Sequence, residues 1–307
     1  MDRTSVSWSG YWPAAPTTFA ADGSFDPALM RDLMNHYVDA GVGGVLINGS
    51  SGEWWSQSPE ERREVARVAC EAVAGRIPVV IGCTAFTAKE VIEHAQAARD
   101  CGADGVMSTP PPYAHPTQAE ILNFYREIDA GIDLPLMVYN WPRGTAVEIE
   151  LETAKKIADL DKVVAIKNST GNWPVVVDYI EALADKVVIF ASLINRRGIA
   201  VMRELGGDGY IDGGGMGAPF AVPFFKAFKE GRWDDARSYA DKWWRLTSGL
   251  VNAGFNGHFG SPSSQLKAAM RMLDQPGGHV RAPLMPIESP ETLKKIEDLL
   301  RVCGLLK

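Results

Sequence analysis

The sequence predicts an α/β fold: a closed (β/α)8 TIM barrel in residues 1–232, followed by a helical extension in residues 233–307. Short β-branched runs alternate with longer amphipathic segments through the barrel region, which is typical of βα units around a parallel sheet. The length of 307 residues also suffices, because such barrels take about 250 residues. An open doubly wound sheet is the competing architecture, but no GxGxxG follows the first strand.

The predicted strands are short apolar runs, and the predicted helices carry apolar residues at three- and four-residue spacing. In chain order, the strands are residues near Tyr11–Ala15, Gly44–Asn48, Pro78–Gly82, Gly105–Thr109, Leu136–Tyr139, Val163–Lys167, Val187–Ala191 and Tyr210–Ile211. Helices between them include Pro27–Ala40, Pro59–Ala74, Ala88–Cys101, Gln118–Ala130, Leu151–Ala158 and Arg197–Leu205. The extension contains Trp233–Val251, Ser263–Leu273 and Pro290–Cys303, which we expect to pack on the barrel or on a second copy.

A weak repeat supports one closed barrel. Gly41, Gly102 and Gly206 each end a helix shortly before a strand, where glycine suits the C-cap. The spacing from Gly41 to Gly102 fits two βα units, and that from Gly102 to Gly206 fits four. Eight strands therefore fit before the extension begins.

The composition favours a small-molecule partner over nucleic acid or a membrane. Acidic residues outnumber basic ones, 38 to 31, for a net charge of -7, whereas phosphate contacts need a basic surface. No segment approaches the roughly 18 apolar residues of a membrane span, and residues 1–13 lack the apolar stretch of a secretory signal. The predicted location is the cytoplasm. The four cysteines and five histidines lack metal-ligand spacing, so we expect reduced packing thiols and no metal site.

A lone lysine ends the sixth predicted strand. Catalytic groups in such barrels project from the carboxyl ends of the strands, and Lys167 follows an apolar run there. Desolvation would lower its pKa and leave a neutral amine, so the position indicates a Schiff-base lysine. A solvent-exposed or ion-paired lysine is the alternative.

Three further strand ends carry candidate groups. Tyr139 ends the fifth strand on the same face as Lys167, where its phenol could shuttle a proton or make one structural hydrogen bond. The loop Gly49–Glu53 offers hydroxyls and backbone N–H groups to an anion. Prolines stiffen the loop after the fourth strand, which presents Tyr113 and His115.

Together, these segments resemble the dihydrodipicolinate synthase/N-acetylneuraminate lyase family. Gly49–Glu53 resembles its GTTGE-type loop, Tyr139–Pro142 its YNxP segment and Ile166–Asn172 its IKxxTGN segment. The resemblance runs over nearly the whole chain. It implies a (β/α)8 class I aldolase, lyase or dehydratase that binds pyruvate or another 2-keto acid as an imine and needs no cofactor.

The resemblance also implies roles for individual residues. Lys167 resembles the Schiff-base lysine, Tyr139 the tyrosine that relays protons, and Tyr113 the loop tyrosine that many members lend to a neighbouring subunit. Ser50 and Ser51 resemble the hydroxyl pair near the keto-acid carboxylate. A homo-oligomer, a dimer or a tetramer, is therefore expected. The substrate-binding prediction further includes Gly49, beside the hydroxyl pair, and Ile211, on the eighth strand.

The chain departs from the family at positions that bear on the second substrate. Members that make dihydrodipicolinate carry an arginine five residues after the tyrosine, where this chain has Gly144, with Arg143 one position early. Dihydrodipicolinate synthesis is therefore not expected. Asn195 and Arg196 stand where relatives often carry an acidic pair, which argues against carboxylates that read sugar hydroxyls.

Tryptophans flank the signature loops. Trp54, Trp55 and Trp141 predict a bulky aromatic pocket for the second substrate, with Arg143 or Arg196 available for a distal anion. Packing beneath the loops or in a subunit interface is the alternative for these tryptophans.

The predicted activity is C–C bond formation or cleavage between a 2-keto acid and an aldehyde, through an imine on Lys167. One alternative keeps the imine but adds or removes water. Another is a barrel that binds a keto acid without turnover. A phosphate-binding barrel enzyme is a further alternative, suggested by the glycine-rich run 213–217 after the eighth strand.

Overall fold

Eight parallel strands close into a barrel, as predicted, in a computed structural model that describes residues 1–252 and 254–307. The strands follow chain order: β1 (Gly10–Ala14), β2 (Val45–Ile47), β3 (Val79–Gly82), β4 (Gly105–Ser108), β5 (Leu136–Asn140), β6 (Val163–Asn168), β7 (Val188–Ala191) and β8 (Gly209–Gly213). Each strand pairs with the next, and β8 pairs with β1 to close the ring. All carboxyl ends therefore meet at one mouth.

Helices surround this sheet and continue beyond it. The helices are α1 (Pro27–Asp39), α2 (Pro59–Val73), α3 (Ala88–Asp100), α4 (Gln118–Gly131), α5 (Pro142–Thr145), α6 (Leu151–Ile157), α7 (Trp173–Leu183), α8 (Arg196–Glu204), α9 (Ala218–Lys229), α10 (Trp233–Leu250), α11 (Pro262–Met272) and α12 (Pro290–Val302). The sequence reading did not single out α7 and α9. The first begins with a β-branched run that favours a strand, and the second contains Pro223 inside the helix, so packing overrides local preference in both.

Successive side chains of each strand point to opposite faces of the sheet, so the strands contribute to two apolar layers. One fills the barrel and includes Trp12, Met107, Phe190 and Ile211. The other lies between the strands and the helices and includes Tyr11 from the same β1 strand. The barrel is therefore a packed core, and the space for a ligand lies at its mouth.

The extension packs on the outside of β1 and β8. Trp243 of α10 meets the ring edges of Tyr11 and Tyr210 at centroid distances of 5.7 and 5.5 Å. A Cβ atom at Gly217 would lie 1.9 Å from this indole, so only glycine fits there. α10 begins at Trp233, where the helical extension is predicted to start. The division into two domains stays a prediction.

Other sequence expectations concern cysteines, metals and membranes. Burial raises the pKa of the Cys70 and Cys83 thiols to about 12, which fits packing residues. Within the described ranges, no cluster of three or more histidine, cysteine or acidic side chains could hold a metal ion. Every helix in the described part of the chain is too short or too polar to cross a membrane.

Candidate active site

Lys167 and Tyr139 lie side by side at the barrel mouth. They are direct partners in the pairing of β5 with β6, and the Nζ atom of Lys167 lies 4.0 Å from the centroid of the Tyr139 ring. Both side chains are buried, at 6% and 5% exposure. The fold therefore brings the predicted nucleophile and the predicted proton relay into contact.

The surroundings of Lys167 favour a neutral amine. Burial lowers its pKa from 10.5 to about 7, opposed in part by the charge of Asp212. Within the described ranges, no carboxylate forms an ion pair with this lysine. A large fraction of the amine is therefore unprotonated at neutral pH and able to attack a carbonyl.

Hydroxyl groups surround the phenol of Tyr139. Burial raises the pKa of Tyr139 above its usual value, and interactions with Ser169 and Ser50 oppose that rise. The phenol therefore keeps its proton at neutral pH and has hydroxyl neighbours with which to exchange it.

An amide pair fixes the ends of β5 and β6. Asn140 and Asn168 are register partners, and Asn140 Nδ2 donates to Asn168 Oδ1 over 3.1 Å. Each carboxamide oxygen also accepts a backbone N–H, from Ile149 and from Thr170. These bonds hold the loops after both strands, so the two reactive side chains keep their relative positions.

After β2 the chain forms two short 3₁₀ turns, and the first of them belongs to the predicted anion-binding loop. The first spans Ser50–Gly52, and the carbonyl of Gly52 accepts hydrogen bonds from Thr17 Oγ1 and Gln57 Nε2. A Cβ atom at Gly213 of β8 would lie 2.9 Å from Ser51 Oγ. The loop thus lies across the end of β1 against β8 and holds its two hydroxyls at the mouth.

The last residue of this loop is buried against the extension. Glu53 is 0% exposed and forms a 2.6 Å ion pair with Lys267 of α11. Its second carboxylate oxygen accepts a hydrogen bond from the backbone N–H of Arg281. Glu53 was predicted only as part of the loop, and Lys267 was not predicted as a site residue. This ion pair joins two segments that are far apart in the chain, so no local sequence pattern predicts it.

β8 places two residues near the site, of which one was predicted from the sequence and the other was not. Ile211 lies in the barrel interior, in the same apolar cluster as Tyr139. The next residue, Asp212, accepts a hydrogen bond from the Tyr11 hydroxyl, and desolvation raises its pKa to about 7. An acidic residue inside an apolar strand was the available signal for Asp212.

Aromatic side chains enclose a cavity of about 210 Å³ beside Tyr139. Its walls include Gly49 and Ser50 from the anion-binding loop, together with Trp54, Trp55 and Trp141. The ring of Trp141 is nearly parallel to that of Tyr139, at an interplanar angle of 9° and a centroid distance of 5.6 Å. The predicted aromatic lining is therefore present.

The predicted arginines and Asn195 lie outside this cavity. Arg143 is exposed and donates to the carbonyl of Phe255 and to Asn256 Oδ1. Asn195 caps α8 by accepting from the N–H of Gly198. Arg196 pairs with Asp241 of α10 at 2.8 Å, with its side chain 71% exposed. None of the three lines the cavity. Arg143 nevertheless lies close enough to Tyr139 for its positive charge to oppose the rise in the pKa of the phenol, whereas Asn195 and Arg196 are engaged at α8 and α10.

Tyr113 points into solvent. It is 88% exposed and has a left-handed backbone, with φ of 72°. The cavity wall reaches its neighbour Pro112 but does not include Tyr113 itself.

Known proteins share this architecture along nearly their full length. The model of the dihydrodipicolinate synthetase family matches residues 7–302. A DapA-like lyase of Rhizobium meliloti is 33% identical over 305 residues, covering 97% of each chain. A 4-hydroxy-tetrahydrodipicolinate synthase of Syntrophobacter fumaroxidans is 29% identical over 296 residues, covering 95% of this chain and 98% of its own.

A solved structure agrees with these matches. The crystal structure of YagE from E. coli K12, a prophage protein of the dihydrodipicolinic acid synthase family in complex with pyruvate, superposes with a TM-score of 0.88. The two chains are 25% identical, and the match covers 98% of this chain and all of YagE. The chain is thus a lyase that belongs to the dihydrodipicolinate synthetase family.

Proposed function

We propose that this lyase is a class I aldolase that joins pyruvate, or a closely related 2-keto acid, to an aldehyde or reverses that reaction. The observation that carries the proposal is the buried amine of Lys167, which has a pKa of about 7 and lies against the ring of Tyr139. The pyruvate in the YagE complex agrees with this substrate class.

The reaction begins with attack of Lys167 Nζ on the keto carbon. Loss of water from the resulting carbinolamine gives an iminium, which withdraws electrons from C3 and allows a proton to leave that carbon. The enamine then attacks the aldehyde carbon, a C–C bond forms, and the aldehyde oxygen takes up a proton. Hydrolysis of the imine releases the product and restores the lysine.

Tyr139 and Ser50 supply the proton transfers in this proposal. The Tyr139 phenol is protonated at neutral pH and interacts with Ser50 and Ser169, so it can donate to the departing hydroxyl of the carbinolamine. The 3₁₀ turn that begins at Ser50 offers hydroxyls and backbone N–H groups to the keto-acid carboxylate. No cofactor enters any step.

Dihydrodipicolinate synthesis is not the proposed activity. Gly144 replaces the arginine expected for that reaction, and the neighbouring Arg143 binds surface groups instead. A hydratase or dehydratase would use the same imine. An enzyme of that kind differs from an aldolase because it adds or removes water without releasing an aldehyde, which a product assay detects.

Borohydride trapping tests the proposal. Incubation with pyruvate and borohydride should leave a reduced adduct on Lys167, located by peptide mass spectrometry. The Lys167→Ala variant should show none, whereas Lys89→Ala, which removes a lysine with an 87% exposed side chain, should react like wild type. Absence of an adduct with pyruvate and with a panel of other 2-keto acids would overturn the proposal.

We also propose that the site is completed by a second copy. Tyr113, Phe86 and Trp55 are 88%, 60% and 46% exposed. Trp55 lines the cavity, Tyr113 follows the wall residue Pro112, and Phe86 lies two positions after the wall residue Thr84. Exposed aromatic groups of this kind mark association surfaces. Mixing Tyr113→Phe with Lys167→Ala should restore activity in hybrid assemblies. Failure to restore it, in mixtures shown to exchange subunits, would contradict a shared site.

A further inference from the structure

The cavity beside Tyr139 has no charged wall. Every described residue that lines it is aromatic, aliphatic, hydroxyl-bearing or glycine. Met107 and Pro112 form apolar walls, while Thr84 and Thr109 contribute hydroxyls, with the Thr109 N–H donating to Thr84 Oγ1. A ligand in this cavity therefore meets flat apolar surfaces and a few neutral polar groups.

Trp141 takes the space that a side chain at position 144 would fill. An ideal Cβ atom on Gly144 would lie 2.0 Å from both Cε3 and Cζ3 of the Trp141 indole. Any larger residue at 144 must displace this ring. The glycine and the tryptophan therefore form one feature, which places a flat ring parallel to Tyr139 and next to the reacting groups.

The guanidinium groups near the cavity donate to protein acceptors, although the charge of Arg143 also acts on Tyr139. Arg143 binds the carbonyl of Phe255 and the side chain of Asn256, and Arg62 stacks on Trp54 while donating to the carbonyls of Gly82 and Thr84. An anionic group at the far end of an aldehyde would thus lose its water and find no cation among the described residues that line the cavity. A flat apolar group would lose nothing and would gain contact with the indoles.

We infer that the aldehyde partner is an uncharged aromatic aldehyde, with Trp141 as the residue that selects it. The inference rests on the proposed imine chemistry at Lys167. Cavities of about 150 Å³ hold benzene, so about 210 Å³ accommodates one aromatic ring with its formyl group. Attack of the enamine on that formyl carbon gives a 4-aryl-4-hydroxy-2-keto acid after a proton reaches the oxygen and water cleaves the imine.

The test compares two aldehydes in aldol addition with pyruvate. Benzaldehyde is the aromatic probe, and succinic semialdehyde is the anionic one. Liquid chromatography with mass spectrometry follows each product. We expect kcat/KM for benzaldehyde to exceed that for succinic semialdehyde by at least about 100-fold, because the carboxylate of the second aldehyde loses its water without a cation in the cavity wall.

Variants at position 141 test whether Trp141 causes the preference for the aromatic aldehyde. Trp141→Ala should lower kcat/KM for benzaldehyde at least about 10-fold, a loss typical for a flat apolar contact, while pyruvate trapping on Lys167 continues. Trp141→Phe keeps a ring and should retain most of the preference. The double variant Trp141→Ser with Gly144→Arg should move the preference toward succinic semialdehyde.

The outcomes separate the inference from the proposed function. Absence of pyruvate trapping in wild type overturns both. Normal trapping with equal or better use of succinic semialdehyde overturns only the aromatic assignment, as does an unchanged benzaldehyde rate in a Trp141→Ala variant that still traps pyruvate. If Trp141→Ala does not fold, the comparison of the two aldehydes in wild type and in Trp141→Phe decides.

Discussion

Two buried lysines have opposite surroundings. Lys167 lies at the barrel mouth at 6% exposure, and Lys267 lies where α11 meets the anion-binding loop at 0% exposure. Desolvation lowers the pKa of both. Their neighbours differ, because Lys167 lies against the neutral ring of Tyr139 whereas Lys267 forms an ion pair with Glu53.

Each ammonium proton of Lys267 has an acceptor. The Nζ atom lies 2.6 Å from Glu53 Oε1, 2.8 Å from the carbonyl of Thr17 and 2.6 Å from the carbonyl of His279. These three contacts match the three donors of an ammonium group. The charge and hydrogen bonds therefore favour the protonated form, and the lysine joins the extension to the loop that carries Ser50.

The comparison shows that burial alone does not make a lysine reactive. Paired with a carboxylate, a buried lysine stays charged and stabilises the fold around it. Without such a partner, it loses its proton easily and becomes a nucleophile. Lys167 belongs to the second kind and Lys267 to the first.

The largest expected effect follows removal of Lys167. Lys167→Ala should lower kcat at least about 1,000-fold, because the imine cannot form. The protein should remain folded, since no ion pair is lost. Steady-state assays together with thermal unfolding check both statements, with Lys89→Ala as the control. Substantial residual activity would show that the reaction does not pass through this amine.

Removal of Lys267 should instead affect folding. Lys267→Met leaves the Glu53 carboxylate buried without its cation and should lower the free energy of unfolding by about 3–5 kcal/mol. Denaturant titration measures the change. Lys295→Met, which breaks an exposed pair with Glu291, should cost less than about 0.5 kcal/mol. A small loss in Lys267→Met and recovery of none of it in a double variant with Glu53→Gln would contradict the structural role.

Tyr139 should affect the rate rather than the binding of the keto acid. Tyr139→Phe keeps the ring against Lys167 but removes the proton donor, so kcat should fall about 100- to 1,000-fold. The KM for pyruvate should change little. Steady-state kinetics with saturating aldehyde measures both. A large rise in KM with an unchanged kcat would assign the phenol to binding instead.

The smallest expected effect is on the pH dependence of stability. The pKa of Lys167 is about 7 in the folded protein and near 10.5 when unfolded, so the unfolded chain binds the additional proton between these values and stability rises with pH across them. Replacing the lysine by methionine removes this dependence. Lys167→Met should be more stable than wild type at pH 6, and the gain should shrink toward pH 10.

Denaturant titrations of Lys167→Met and wild type at several pH values measure the difference. Lys89→Met provides a matched control whose difference from wild type should be flat with pH. A pH-independent difference for Lys167→Met would mean that the pKa of this lysine is the same in both states.

The sequence analysis predicted the core of the site because parallel strands bring their carboxyl ends together. Lys167 and Tyr139 end the neighbouring strands β6 and β5, and Ser50 follows β2 at the same mouth, so a correct barrel was enough to place all three at one end of the sheet. The barrel itself is encoded locally, through the alternation of β-branched and amphipathic segments. This alternation gave all eight strands, with boundaries that differ by a few residues at most.

The contacts of long side chains on loops and helix ends were harder to predict from the sequence. Arg143 and Arg196 could reach several directions from their positions, and their partners Asn256 and Asp241 belong to the extension. The Glu53 pair with Lys267 likewise joins segments far apart in the chain. Such contacts depend on tertiary packing, for which sequence spacing carries no signal.

The rate of imine trapping as a function of pH tests the central claim most directly. Pyruvate and cyanoborohydride are added to wild-type protein from pH 5.5 to 9.5, and mass spectrometry follows the adduct on Lys167. Because only the neutral amine attacks, the rate should rise with pH, pass its midpoint near pH 7 and level off above it. A rate that is still rising steeply at pH 9.5 would show an ordinary lysine and would contradict the account.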